Sequence, residues 1–224
     1  MNSIVVALGG SILTSEDADT SYLLDLCRLL EETKQFRLFV IVGGGVTARS
    51  YIKRGRELNY TEDQLDEIGI SVTRVNAQLL SYSFSDANHQ IPKTTEEALE
   101  LNHNIILMGG TEPGHSTDQV GAELAQKTRA KRFIIATNVD GIYTEDPRIN
   151  PDAEKYDTVH IDKLISDLGV DWKSAGKNTV IDGPALQLIK EGKIPTCVVN
   201  GSDLSDLKAA LDGLPIKGTT IHHK

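Results

Sequence analysis

Three glycine clusters follow short apolar runs in this chain: Gly9-Gly10-Ser11 after IVVAL, Gly43-Gly44-Gly45 after FVIV, and Gly109-Gly110-Thr111 after IILM. Glycine lets backbone N–H groups approach an oxyanion closely, and a helix that starts there adds a favourable dipole. One such turn says little, because tight turns need glycine anyway. Three on one edge could cradle a polyphosphate. Arg49 lies one turn beyond the second cluster, so its guanidinium can reach back to a phosphate at that helix start or lie solvated on the helix surface. The third cluster runs into GGTEPGHSTDQVGAELA at 109–125, where Thr111, Glu112, Pro113, Gly114, His115, Ser116 and Thr117 crowd small and polar groups before a helical pattern. Asp118 opens that pattern, as an N-cap or as an organiser of catalysis. G-x-x-x-x-G-K-[ST] is absent, which excludes a P-loop enzyme. GGGVTAR does not match G-x-G-x-x-G, which disfavours a standard dinucleotide fold.

The elements that must position these groups are legible as alternating strands and helices. Runs at 4–8, 37–42, 104–108, 132–137 and 195–200 are short, continuous and rich in β-branched residues, as strands buried on both faces of a parallel sheet are. Helical patterns cover 19–34, 61–85, 118–129 and 183–191, with Asp182 placed to cap the last. The expectation is an α/β fold, a three-layer αβα sandwich around a mainly parallel central sheet, with the glycine turns on its carboxyl edge. Residues 140–156, DGIYTEDPRINPDAEKY, read as an exposed loop, whether lid, hinge or simply solvated. Asp66 sits in LDEIGISVTRVNAQLL, a helix otherwise apolar on one side, where it could meet sugar hydroxyls or water.

Composition narrows the partners. With 23 basic against 32 acidic residues in 224, the net charge is −9, which argues against nucleic acid but leaves room for a local basic pocket. No apolar run approaches the ~20 residues of a membrane span. The N-terminus enters IVVAL without a basic leader, so a cytoplasmic protein is expected. Cys27 and Cys197 sit in apolar surroundings and read as small buried hydrophobes.

The motifs in series resemble the archaeal-type UMP kinases of the amino acid kinase superfamily. GGSIL at 9–13, VGGGVTARSYI at 42–52, IGISVTRVNAQLL at 68–80, MGGTEPGHSTDQVGAELA at 108–125, ATNVDGIYTEDPRINPDA at 136–153, SAGKNTVIDGPA at 174–185, IPTCVVNG at 194–201 and GTTI at 218–221 occur in family order across essentially the whole chain. The resemblance implies a single amino acid kinase domain over 1–224, with an acceptor lobe near 1–130 and an ATP lobe near 131–224. It implies transfer of a phosphoryl group from ATP to UMP, with Mg²⁺, by a homo-oligomer that is a hexamer built as a trimer of dimers.

By the same resemblance, residues Thr111 to Thr117 wrap UMP, with Gly44 against the nucleotide and Asp66 near its ribose. Backbone groups and the Ser116 and Thr117 hydroxyls can then read a uracil edge. Gly9, Gly10, Ser11, Gly45 and Arg49 lie along the ATP phosphates. Thr137, Asn138, Tyr143 and Asp146 line the ATP site of the other lobe. No residue is assigned to a metal. Much of the wider superfamily carries a lysine two residues before the first Gly-Gly, where this chain has Ala7; Lys177 is close to the place of a second lysine. Arg49 and the metal are therefore expected to carry the transition-state charge, with Asp118 as organiser. The loop lacks Lys and Arg, which disfavours an amino-acid acceptor. A nucleotide sensor that had lost catalysis would be the non-enzyme alternative.

Overall fold

The chain is described from a computed structural model, over residues 2–14, 19–147, 149–169 and 180–223. The sheet has seven strands: β1 (Ser3–Leu8), β2 (Arg37–Val42), β3 (Ile105–Met108), β4 (Arg132–Thr137), β5 (Thr158–His160), β6 (Thr196–Asn200) and β7 (Thr219–His222). Their order is β3-β2-β1-β4-β6-β7-β5. β1 lies between β2 and β4, and β2 carries β3, all parallel; β6 joins β4 in parallel. β7 runs antiparallel to β6 and parallel to β5.

Alternation along each strand builds two cores. Ile4, Val6 and Leu8 of β1 join Leu38, Val40 and Val42 of β2 on one face. Val5 and Ala7 join Phe39 and Ile41 on the other. Every residue of β1 is buried, which is why its sequence reads as a continuous apolar run. Each fully buried Ile or Leu contributes about 1.5–3 kcal/mol relative to exposure.

The helices are α1 (Gly10–Thr14), α2 (Thr20–Glu32), α3 (Gly45–Glu57), α4 (Glu62–Ser81), α5 (Thr95–Glu100), α6 (Thr117–Thr128), α7 (Ile161–Leu168), α8 (Gly183–Gly192) and α9 (Leu204–Asp212). Leu13, Leu26, Leu30, Leu80 and Leu207 cover the first face, from α1, α2, α4 and α9. Ala98, Val120, Leu164 and Leu186 cover the second, from α5, α6, α7 and α8. The sandwich therefore has three layers. α3 sits outside it, with Ala48 and Ile52 against Leu65 of α4. Cys27 and Cys197 are buried, and burial pushes the Cys197 thiol up to about 12.

The expected helix over 61–85 is shorter than its pattern. Thr61 caps its start in a closed capping box with Gln64, and the helix ends at Ser81. Phe84 then turns inward to bury, so the apolar residues beyond Ser81 belong to a turn and not to a helical face. β5 and β7 escape a reading by apolar runs because they are three and four residues long and partly open.

Candidate active site

The exits of β1 and β2 pack backbone against backbone. A Cβ on Gly10 would be driven into the Gly43 carbonyl and the Gly45 nitrogen. Gly45 has φ +62°, and a Cβ there would collide with Thr14 Oγ1 and the Gly10 backbone. The Thr14 hydroxyl donates to Gly10 O at 2.9 Å and accepts from Val46 N–H at 3.1 Å, fastening α1 to the start of α3. These glycines are thus required for loop-on-loop approach, before any ligand is considered.

The same locus is electropositive. Gly44 is the N-cap of α3 and supplies no side-chain acceptor, and no acidic residue occupies the first turn. Neither the N-cap nor the first turn of this 13-residue helix supplies a carboxylate to its positive end. Arg49, one turn in, donates from Nη2 to Ser11 Oγ at 2.9 Å. Gly10, Ser11, Gly44, Gly45 and Arg49 therefore share one place. Ala7, where the resemblance would have a lysine, is 3% exposed and part of the core beneath α6.

The third glycine pair serves a different neighbour. A Cβ on Gly109 would stand 2.5 Å from Thr73 Oγ1 and 2.7 Å from Arg74 N, so glycine here admits the backbone of α4. Thr73 Oγ1 accepts from Gly110 N–H at 2.7 Å and donates to Ile70 O at 2.6 Å. Arg74 donates from Nε to Gly110 O at 3.1 Å and from Nη2 to Thr111 O at 2.9 Å. Asp66 Oδ2 accepts from Gly114 N–H at 2.7 Å, so its carboxylate is a fastening of the loop and not a free surface group. Asn76 of the same helix donates to Gly43 O at 2.8 Å. One helix thus braces the β2 exit and the 109–114 loop together. Thr111 Oγ1 is buried in that loop and has no hydrogen-bond partner among the described residues.

Ser116, not Asp118, caps α6. Ser116 has extended backbone geometry and its Oγ accepts from Gln119 N–H at 2.9 Å, which places Asp118 at the second helical position. The Ser116 hydroxyl also donates to Asp182. Asp182 is the expected N-cap of α8, with Oδ1 accepting from Ala185 N–H at 2.8 Å. The starts of α6 and α8 are therefore clasped. Asp118 keeps some surface open, yet its carboxyl is densely surrounded by protein. Burial, and then the nearby Asp182 charge, push it well above the usual carboxylate range. Burial also raises Asp182, against the hydrogen bonds from Ser116 and Ala185 and the charge of His115.

Thr137 and Asn138 lie at the exit of β4, next to the Gly9 turn: Gly9 N–H donates to Ala136 O at 2.8 Å and Gly201 N–H to Thr137 O at 2.8 Å. Asp140 accepts from Asn200 Nδ2 at 2.7 Å and holds the turn. Tyr143 and Asp146 are carried on the excursion that follows. That excursion is more ordered than a solvated loop. Tyr143 bridges Lys155 antiparallel, and Thr144 N–H donates to Glu154 O at 2.9 Å. Lys177 lies outside the described residues.

Thr14, Thr73, Arg74 and Asn76 emerge as parts of the site without an assigned role in the sequence. Thr73 and Asn76 are buried polar residues on a helix face otherwise filled by Leu65, Ala77 and Leu80. Polar interruption of an apolar face was the available signal.

A sheet edge that gathers glycine turns, a helix start with no carboxylate in its first turn and an arginine is a place where an α/β protein can hold an anion. The chain belongs to the amino acid kinase family, whose family profile matches residues 2–200. It is 40% identical over 224 residues to a uridylate kinase of Thermoplasma volcanium, covering 99% of this chain and 98% of that protein. The crystal structure of uridylate kinase from Archaeoglobus fulgidus superposes with a TM-score of 0.86 at 38% identity, covering 98% and 99% of the two chains. A UMP kinase structure from Ureaplasma parvum, at 22% identity and TM-score 0.76 over 99% and 98%, shares the fold.

The loop packing predicts that Gly10→Ala destabilises by at least about 2 kcal/mol, because backbone must move to admit the methyl. Gly114→Ala meets nothing within 4 Å and carries only its φ of +84°, a strain of about 1–2 kcal/mol. Urea titrations of both variants check the order. The acidic pair gives a pH signature. A carboxyl raised in the folded state stabilises the fold below its unfolded pKa of about 4, and that stability is lost as pH rises through the folded value. Asp118→Asn is therefore expected to raise the thermal midpoint at neutral pH, with the gain shrinking as pH falls toward about 4. Scanning calorimetry across that range measures it.

Proposed function

We propose that the chain is a UMP kinase, transferring the γ-phosphoryl group of ATP to UMP to give UDP and ADP. The observation that carries this reading is the joint bracing of two loops by α4: the phosphate-compatible β2 exit and the 109–117 loop, with its buried, unpartnered Thr111 hydroxyl. In it, Gly9, Gly10, Ser11, Gly45 and Arg49 lie along the ATP phosphates. Thr137, Asn138, Tyr143 and Asp146 line the ATP site of the lobe formed by 131–224. Gly44, Asp66 and Thr111 to Thr117 surround UMP in the lobe formed by 1–130. Because the Ser116 hydroxyl is engaged on both sides, base reading falls on backbone N–H groups, Thr111 and Thr117.

An oxygen of the UMP phosphate attacks the γ-phosphorus, and the bond to the β–γ bridging oxygen breaks as ADP leaves. The acceptor is already an anion at neutral pH, so no general base is needed. The barrier is repulsion between two polyanions, and catalysis is placement plus charge stabilisation. The start of α3 and the Arg49 guanidinium supply fixed positive potential where the phosphates meet. Among the described residues there is no cluster of three or more His, Cys, Asp or Glu side chains for a metal. This fits magnesium carried mainly by nucleotide phosphates, with Asp118 as a nearby carboxylate. Bound there, the ion would supply neutralisation of phosphate charge.

The assembly reading is a homo-oligomer, a hexamer made as a trimer of dimers. Val75, Leu79 and Tyr82 form a stripe at one side of α4 and its end, and they are 67%, 54% and 67% exposed. A stripe of that kind on a brace helix suits burial against a second copy.

ADP release measured against UMP, CMP, dUMP and small carboxylic acids should show UMP as the preferred acceptor; absence of turnover with UMP, ATP and Mg²⁺ would refute the assignment. Arg49→Ala should lower kcat by about 10²-fold, as loss of one preorganised donor does. In the paired variant Val75→Asp with Leu79→Asp, light scattering should report a smaller particle than the parent protein.

A further inference from the structure

Arg74 occupies an unusual position for a helix arginine. It is half-buried, and two of its donors go to consecutive backbone carbonyls, Gly110 O at 3.1 Å and Thr111 O at 2.9 Å. Those carbonyls head the loop that, on the reading above, wraps the acceptor base. The loop itself contains no Lys or Arg between Gly109 and Ser116. A guanidinium cannot lose its charge in a protein, so this is a fixed cation set behind a loop whose one acidic side chain is Glu112.

We propose that Arg74 is a positioning residue that sets base specificity, favouring uracil over cytosine. The argument rests on the UMP-kinase reading and on the chemistry of the two bases. Uracil presents two carbonyl acceptors flanking an N–H. Cytosine replaces the O4 acceptor by an amino donor and the N3–H donor by an acceptor. Gly110 O and Thr111 O are drawn onto Arg74, so two of the loop's acceptors are engaged, while its Gly110 and Gly114 N–H groups donate to Thr73 and Asp66. Each carbonyl keeps a second lone pair, but the guanidinium charge beside it opposes the arrival of another donor. The buried, unpartnered Thr111 hydroxyl lies in the same turn and can donate to a base carbonyl. A hydroxyl donor backed by a cation suits the uracil O4. There the cytosine amino group meets two carbonyls already held by Arg74, and buried polar groups left poorly paired carry the largest discrimination.

The fastening is also specific in shape. Nε and Nη2 form a fork that holds two successive peptide planes at once. A lysine at this position can reach one carbonyl and retains the charge, so R74K separates charge from geometry. R74M keeps the apolar stem and removes both.

The test is steady-state kinetics of the full-length parent protein, R74K and R74M, with UMP and CMP as acceptors and ATP varied separately. The expected result for R74M is a rise in KM for UMP of about 10- to 100-fold, as loss of charge-assisted hydrogen bonds gives. The KM for ATP should hold, and the ratio of kcat/KM for UMP over CMP should fall at least about tenfold. R74K should restore part of that ratio. An unchanged UMP-to-CMP ratio in R74M would overturn the proposal, and so would loss of kcat with both acceptors alike, which is what a merely structural residue would produce. If R74M does not fold, R74K decides: a parental ratio and KM for UMP count against the role, and a reduced ratio supports it. A parent protein that turns over neither acceptor would instead sink the UMP-kinase reading, so the two failures are distinguishable.

Discussion

The closest constraint in this molecule is the meeting of two turns with no side chains between them. Gly10 lies so near Gly43 and Gly45 that a methyl group on it would overlap peptide atoms. That approach is possible because β1 and β2 are adjacent and parallel with their ends level, Leu8 opposite Val42. Sheet register therefore determines that α1 and α3 begin side by side, and with them the Ser11–Arg49 hydrogen bond. A register shift of one residue would exchange the β1 residues between the two cores and separate the turns as well. Folding and site assembly are here one condition.

α4 extends the constraint from one loop to a second. Buried Thr73 and Asn76 and half-buried Asp66 and Arg74 replace apolar packing by directed hydrogen bonds to Gly43, Gly110, Thr111 and Gly114. Each such bond contributes modestly to stability, roughly 0.5–1.5 kcal/mol, but leaving a buried partner unmade costs more. The arrangement thus selects one relative position of the loops. The far side of the same helix leaves Val75 and Leu79 open.

The sequence disclosed the layers because every central strand is a short continuous apolar run, and the glycine clusters marked the strand ends. The exits do share one edge, and residues 9–11 and 43–49 do meet. Single-residue roles were less legible. Glycine at 9–10, 43–45 and 109–110 looks identical in sequence, yet the first two clusters admit each other and the third admits a helix backbone. Asp118 resembled a cap because it follows small polar residues, but Ser116 two positions earlier has the extended backbone that a cap requires. Arg74 could not be read because its partners are carbonyls 36 and 37 residues away, and carbonyls leave no trace in residue type.

The acidic pair at the starts of α6 and α8 runs against the stability of the fold. Asp118 is packed where its charge is disfavoured, beside a second carboxyl that disfavours it further. Asp182 has a structural task, accepting from Ala185 N–H and Ser116. Asp118 has no such task at a cap, since Ser116 performs it. A group that lowers stability without a packing or capping duty is the kind retained for chemistry. Asp118 lies in the helix turn directly after the 109–117 loop, and Ser116 clasps that turn to the start of α8. Position 7, where the resemblance would have a lysine, holds Ala7 sealed beneath α6. On the reading proposed above, positive charge in the site comes from Arg49, the start of α3 and the cation that the nucleotides would bring, with Asp118 as the negative counterpart.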